Sequence, residues 1–313
     1  MSSPIKSVAV VGGSGNLGKA TVSELVNAGF TVTVLTREGS TSTFAKGVVS
    51  KVVDYSSVES LTSALTGQDA LVSTIATAAV GGQQTLVDAA VAAGVRRIIP
   101  SEFGINTRFL GKEPIGAILQ GKVKTLNYIH EQSKRNPSFT WTGISTGLFF
   151  DWGLDHGSIG LDKSTKTATI YDSGNEPYQA SNLPHIGKAI AAVLKHPEQT
   201  VNRYISIASF NPTQNQALEI AEKLTGEKWT VKHVLTSEEQ QIGAEKLSKG
   251  DYSAFSNFLR RRVYGDGAGL AVQGPDNALD LLGLEGEDLE GSLRAWLVKI
   301  KKLNADGKLG RNG

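Results

Sequence analysis

Three features of this 313-residue chain predict an α/β fold built on a doubly wound parallel sheet with a smaller α+β region behind it. Short β-branched runs alternate with longer helical patterns through the first half, which is the pattern of a parallel sheet covered on both faces. A cluster of glycines sits between the first such run and the first helix. Beyond about residue 150 the alternation weakens, so the later chain forms a separate, less regular region.

The elements follow in order. "SVAVV" is the first strand and "NLGKATVSELVNAG" the first helix, with "TVTVL" after it. "KVVDY" precedes the helical "SVESLTSALTG", and "DALVSTI" precedes "QQTLVDAAVAAG". "RRIIPSEFG" leads into a helix around "ILQGKVKTLNYIHEQSK", and "SFTWTGIST" closes the series. Gly29 and Gly94 stand where C-terminal helix caps belong. Further on, "TATIYDSGNEPYQA" reads as a hairpin turning at Ser173-Gly174-Asn175. "LPHIGKAIAAVLKHP" reads as a helix, "NRYISIAS" as a strand and "NPTQNQALEIAEKLTG" as a helix with a glycine stop. Residues 236–300 read as mostly helical around the glycine-rich "YGDGAGLAVQGPDN", and "DGKLGRNG" as a frayed tail. The expected organisation is a Rossmann-type nucleotide domain over 1–152, with segments near 180–210 returning to it. A smaller, discontinuous substrate region with C-terminal helices occupies 153–313.

Composition narrows the function. With 40% hydrophobic and 20% charged residues, this is the make-up of an ordinary soluble globular protein. A net charge of +2 gives no reason to expect a nucleic-acid or membrane partner. The compact run Arg260-Arg261-Arg262 reads as a solvated helix end. The absence of cysteine excludes disulfides, cysteine nucleophiles and thiolate metal sites and suits a reducing compartment. No signal-peptide pattern or bilayer-length apolar run is visible, so a cytoplasmic location is expected.

The glycine cluster can be read in two registers. Gly13-Ser14-Gly15-Asn16-Leu17-Gly18 is a GxGxxG, and Gly12, Gly15 and Gly18 form a GxxGxxG. Glycine lets the backbone approach a pyrophosphate closely, while the helix N-terminus offers free N–H groups and a positive dipole end. At the end of the second strand an NAD-binding protein of this type carries an acid that accepts the ribose hydroxyls. This chain has Arg37 there, and a guanidinium forks well onto a 2′-phosphate. Lys46 adds a second cation, whereas Glu38 lies one residue further on. The preference is NADP(H).

The search for a catalytic group ends at one lysine. None of the seven tyrosines has a lysine four residues later, the five histidines show no metal-ligand spacing, and no GxSxG elbow is accompanied by triad partners. Around residue 122, Leu119, Val123, Leu126 and Ile129 mark one apolar helix face, and Lys122 falls inside that stripe while Lys124 points away. Lys122 can snorkel along apolar surface or point into a cleft. In a cleft, burial favours a neutral amine and phosphate proximity an ammonium, and the residues leave both open. His130 lies on a similar face and reads as a core histidine.

Together these pieces resemble the isoflavone reductase-like and NmrA-like branch of the atypical short-chain dehydrogenases, over about residues 5–235. The matching stretches are "VVGGSGNLG", "VLTRE" with Lys46, "RRIIPSEFG", "GKVKTLNYI" and "SFTWTGISTGLFFDWG". The resemblance implies that residues 12–18 bind a pyrophosphate, that Arg37 and Lys46 bind the 2′-phosphate, and that Lys122 is the active-site lysine. It also implies reduction by NADPH of a small aromatic or conjugated molecule: an enone, quinone, imine or benzylic ether. Thr74, Ser101 and Phe103 join the cofactor-binding set, and Glu102, Phe149 and Phe150 the substrate pocket. Loops around 76–82, 105–115 and 150–165 would complete that pocket with the C-terminal third.

Three positions depart from the family pattern. Leu126 stands where plant members often carry arginine, and His185 where an acid precedes Ile-Gly. The glycine-rich 265–274 resembles fungal members. The alternative to a reductase is a non-catalytic NADP(H)-sensing regulator. The presence of Lys122 favours the enzyme.

Overall fold

The computed structural model describes residues 3–76 and 83–306, with the backbone path alone for 299–306. The chain divides into two units. The first holds residues 1–147, 183–207 and 273–285, and the second 148–182, 208–272 and 286–313.

The first unit opens with β1 (Ser7–Val11), α1 (Asn16–Asn27), β2 (Thr31–Thr36) and β3 (Val49–Val52). It continues with α2 (Val58–Leu65), β4 (Ala70–Ser73), α3 (Gln83–Ala92) and β5 (Arg97–Ile99). Then come α4 (Pro114–Ile118), α5 (Gln120–Arg135) and β6 (Thr140–Ser145). The second unit begins with β7 (Leu148–Phe149), α6 (Phe150–Asp155), β8 (Leu161–Asp162), β9 (Thr167–Tyr171) and β10 (Ala180–Ser181). The chain then rejoins the first unit through α7 (Leu183–Lys195) and β11 (Arg203–Ser206).

Seven parallel strands form one sheet in the order β11-β6-β5-β4-β1-β2-β3. The order reverses between β1 and β4, which makes that point the topological switch where ligands of such sheets bind. Val8 to Val11 of β1 are all buried, as a central strand covered on both faces requires. Arg97 of β5 is buried and pairs with no carboxylate among the described residues. Its guanidinium donates to Thr140 at 2.8 Å, to Thr142 and Thr200 at 3.1 Å and to the Pro197 carbonyl at 2.6 Å. Burial lowers its pKa to about 10. Gly29 and Gly94 adopt positive φ after α1 and α3, as caps do.

The second unit resumes with α8 (Gln214–Thr225), β12 (Thr230–Val234), α9 (Thr236–Ser248) and α10 (Ala254–Tyr264). The chain passes through α11 (Leu279–Leu282) in the first unit, and α12 (Leu289–Asp306) is the last described element. β12 and β9 pair in parallel, β9 and β8 antiparallel, and β7 with β10 in parallel. In this unit the Tyr171 ring stacks on Tyr264 with centroids 5.3 Å apart, and Tyr178 meets Tyr264 edge-on at 5.1 Å.

Several expectations change. The hairpin strand Thr167–Tyr171 exists, but it pairs with Leu161–Asp162 before it, not with the segment after Ser173. Ser173-Gly174-Asn175 does turn, with Gly174 at positive φ. Pro177 then removes an N–H that a ladder would need, and the chain leaves for β10. The first boundary falls at residue 147 rather than 152, and residues 273–285 also return to the first unit. The arginine run ends α10 but is not merely solvated, because Arg260 pairs with Glu239 at 3.2 Å and Arg261 donates to Thr236 at 2.8 Å. Of the expected tail, residues 307–313 lie outside the described residues.

Candidate active site

The carboxyl edge of the first unit's sheet carries the predicted groups in a row. Gly12 follows β1 directly, with φ +78, and an added Cβ there would lie 2.9 Å from the Thr74 carbonyl. At Gly18 an added Cβ would lie 2.0 Å from the Gly12 oxygen, so α1 crosses the loop too closely for any side chain. Gly15 differs: its φ of −72 suits any residue, and a Cβ would meet only the Gly12 oxygen at 3.2 Å. Gly15 is exposed and caps α1 without a side-chain hydrogen bond, and no acid occupies the helix's first turn. Ser14 and Asn16 are exposed beside it, while Leu17 is buried beneath. An open N-terminal turn with a bare glycine at its tip is a cradle for a phosphate.

Hydrogen bonds join neighbouring strand ends along this edge. Thr74, just past β4, donates its hydroxyl to the Val11 carbonyl at 2.9 Å. Ser101, just past β5, donates to the Ile75 carbonyl at 2.7 Å. Two strand spacings therefore separate the glycine loop from the Ser101–Phe103 segment, about 10 Å. On the other side of β1, Arg37 leaves the end of β2, with Lys46 in the loop that follows. Both are exposed, and neither side chain makes a hydrogen bond or ion pair among the described residues.

Lys122 stands on the inner face of α5 in a stripe that includes Leu119, Leu126 and Ile129. Its Nζ donates to the Phe103 carbonyl at 3.3 Å, its one side-chain hydrogen bond among the described residues. Burial pushes the amine down from the usual lysine range, and the charge of Glu102 opposes that shift. Glu102 is buried, and its Oε2 accepts hydrogen bonds from the Thr107 hydroxyl and, at 3.0 Å, from the Tyr204 hydroxyl. Thr107 and Tyr204 were not singled out in the sequence, and only Tyr204's place on an alternating strand could have hinted at an inward face. Burial and Glu102 raise the Tyr204 phenol far above its ordinary range, so it stays a donor. Arg108 lies 4.3 Å over the Tyr204 ring.

Other candidates fall elsewhere. His130 is half-buried, 4.3 Å from the Trp141 ring centroid, and burial lowers its imidazole pKa. Phe149 and Phe150 belong to the second unit. Phe149 is half-buried, but Phe150 is fully buried with its ring edge-on to Phe210 at 4.7 Å, a core placement rather than a pocket wall. Residues 77–82 of the expected pocket loop lie outside the described residues. The stretch Gly143-Ile144-Ser145-Thr146-Gly147 fits the letters of GxSxG, yet Ser145 lies within β6, buried and bonded to Ser206 at 2.7 Å. Among the described residues no group of three histidines or carboxylates is arranged to hold a metal, and no helix is long and apolar enough to cross a membrane.

The model of the NmrA-like family matches residues 4–255. The chain belongs to the NmrA-like family. Among its relatives, oxidoreductase aprR of Aspergillus flavus is 37% identical over 256 residues, covering 81% of this chain and 85% of the relative. Oxidoreductase poxI of Penicillium oxalicum is 33% identical over 281 residues, covering 88% and 89%. Leucoanthocyanidin reductase from Vitis vinifera, solved as a binary complex with NADPH, superposes with a TM-score of 0.80 at 19% identity, over 93% of this chain and 99% of that one. Within this NmrA-like chain, Leu126 packs in the hydrophobic core with Ile129 and Trp141. The position where plant members of the resembling branch carry arginine is thus used here for packing.

Proposed function

We propose that this chain is an NADPH-dependent reductase of a small aromatic or conjugated molecule, with Lys122 as the proton-transferring group. One observation carries the reading: an uncapped, acid-free helix N-terminus and a buried lysine lie on the same edge of one sheet, either side of its switch point. The residues fit the dinucleotide. A Cβ at Gly15 would fill the cradle, and two exposed cations, Arg37 just past β2 and Lys46 in the loop that follows, make no hydrogen bond or ion pair among the described residues. The family, the fungal oxidoreductase relatives and the NADPH complex of a protein with this fold support the same reading.

Gly12, Gly13, Ser14, Gly15, Asn16, Leu17 and Gly18 hold the pyrophosphate through backbone amides, and Arg37 and Lys46 hold the 2′-phosphate. Thr74, Ser101 and Phe103 border the nicotinamide end. Bound NADPH supplies a hydride for an electron-poor carbon. Lys122 moves the matching proton at Nζ, to the heteroatom or neighbouring carbon that gains electron density.

The test is NADPH oxidation against a panel of enones, quinones, imines and benzylic ethers. Lys122→Ala is expected to lower turnover by about 100-fold or more, the usual size of a lost acid–base group, while NADP⁺ still binds. Turnover equal to the parent's removes Lys122 from the mechanism. NADP⁺ binding with no turnover on any acceptor, together with capture of a specific protein partner, supports a sensor instead.

A further inference from the structure

Between β5 and α4 the fold holds an arginine still without using its charge. Arg108 lies on the short turn Thr107–Phe109, which packs against α5, the helix of Lys122. Its backbone N–H donates to the Asn106 side-chain oxygen at 3.1 Å, and its Nε donates to the same oxygen at 3.3 Å. The guanidinium lies 4.3 Å from the Tyr204 ring centroid and 5.1 Å from that of Phe109. The Tyr204 ring is itself fixed. An added Cβ at Gly143 of β6 would meet it at 2.5 Å, so the ring lies flush on that strand, and its hydroxyl is tied to Glu102.

A cation stacked on an aromatic face keeps its charge and loses freedom. The edge of a stacked guanidinium stays open, and there the two Nη groups form a planar fork matched to a carboxylate. Arg96 and Arg97 give their forks to Asp69 and to threonine hydroxyls. Neither Nη of Arg108 makes a hydrogen bond or ion pair among the described residues, and the side chain is exposed. The place matters as much as the shape. Thr107, one residue earlier, bonds the buried Glu102, and Phe103, one residue after Glu102, offers its carbonyl to Lys122. The open fork therefore stands on the segment that also holds the lysine's partner.

We propose that Arg108 is a specificity-determining residue that selects an acidic substrate, its fork taking a carboxylate carried by the aromatic or conjugated molecule. This rests on the reading of the site as that of a reductase, and narrows its substrate class. The carboxylate is a handle and does not react: two charge-assisted N–H···O bonds form, and no covalent bond changes. Because Arg108 is exposed, the preference is at the low end for such contacts and weakens with salt.

The experiment is a calorimetric titration of the full-length protein, saturated with NADP⁺ at low ionic strength, with trans-cinnamate and with trans-cinnamamide. The two probes share one planar conjugated skeleton and differ in charge. The parent is expected to bind cinnamate about tenfold more tightly than cinnamamide. Arg108→Gln keeps a polar side chain at an exposed position and removes the charge. It is expected to melt with the parent, to lose that preference, and to bind cinnamamide as the parent does. Equal affinities in the parent, no binding of cinnamate, or an equal loss for both probes in the variant overturns the proposal. NADPH oxidation on the acceptor panel separates this from the functional reading. Cinnamate-selective binding with no turnover on any acceptor leaves the carboxylate site standing and overturns the reductase. Turnover of neutral acceptors by a parent that ignores the charge does the reverse.

Discussion

Gly15→Ala separates a glycine that the fold needs from one that a ligand needs. At Gly18 the added carbon would sit 2.0 Å from the Gly12 oxygen, against the roughly 3.5 Å at which non-bonded atoms rest, so α1 would have to retreat by about 1.5 Å. Overpacking of that kind costs about 1–3 kcal/mol. At Gly15 the nearest atom is 3.2 Å away and φ is unstrained, so the main cost is the exchange of a glycine cap for alanine, about 1 kcal/mol. For a chain of this size that lowers Tm by roughly 2–4 °C. The same methyl stands where a pyrophosphate would approach, and NADP⁺ affinity should fall by at least about tenfold, or about 1.4 kcal/mol. Thermal melts and calorimetric titration of NADP⁺ on the parent, Gly15→Ala and Gly18→Ala measure both quantities. Unchanged affinity in Gly15→Ala would refute the placement of the phosphates. So would a loss of stability equal to that of Gly18→Ala.

Two further predictions concern buried cations. Arg97→Ala removes donors from three threonine hydroxyls and the Pro197 carbonyl, and should cost about 3 kcal/mol in urea unfolding; a loss below about 1 kcal/mol would mean that water replaces the guanidinium easily. Lys122 has its pKa lowered by burial from 10.5, so between the folded value and 10.5 the unfolded chain binds more protons than the folded one. Stability owed to this group therefore rises with pH across that window, and the gap between Lys122→Met and the parent should narrow as pH climbs toward 10.5. A pH-independent gap contradicts the shift.

Local signals were the legible part of this fold. The first strand and glycine loop could be read because a central parallel strand must be apolar throughout and the turn after it has no room for side chains. Lys122 could be read because helical periodicity alone places it among Leu119, Leu126 and Ile129. What escaped the sequence depends on distant partners. Tyr204 meets Glu102 only because β11 joins the sheet beside β6, and Thr107 sits in a turn with no distinctive pattern. The hairpin was misassigned because β8 is two residues long, too short to carry alternation, while Ser173-Gly174-Asn175 has strong turn chemistry but leads away. The family resemblance places Phe150 in the pocket, and its burial against Phe210 cannot be read locally because the two lie 60 residues apart.

The central claim, that the glycine loop and Arg37 hold NADPH for reduction, is tested most directly by titrating NADPH and NADH separately into the parent and Arg37→Ala. NADPH is predicted to bind the parent at least about tenfold more tightly than NADH, with Arg37→Ala erasing most of that difference through loss of a charge-assisted phosphate contact. Equal affinities in the parent, or an equal loss for both nucleotides in the variant, would contradict it.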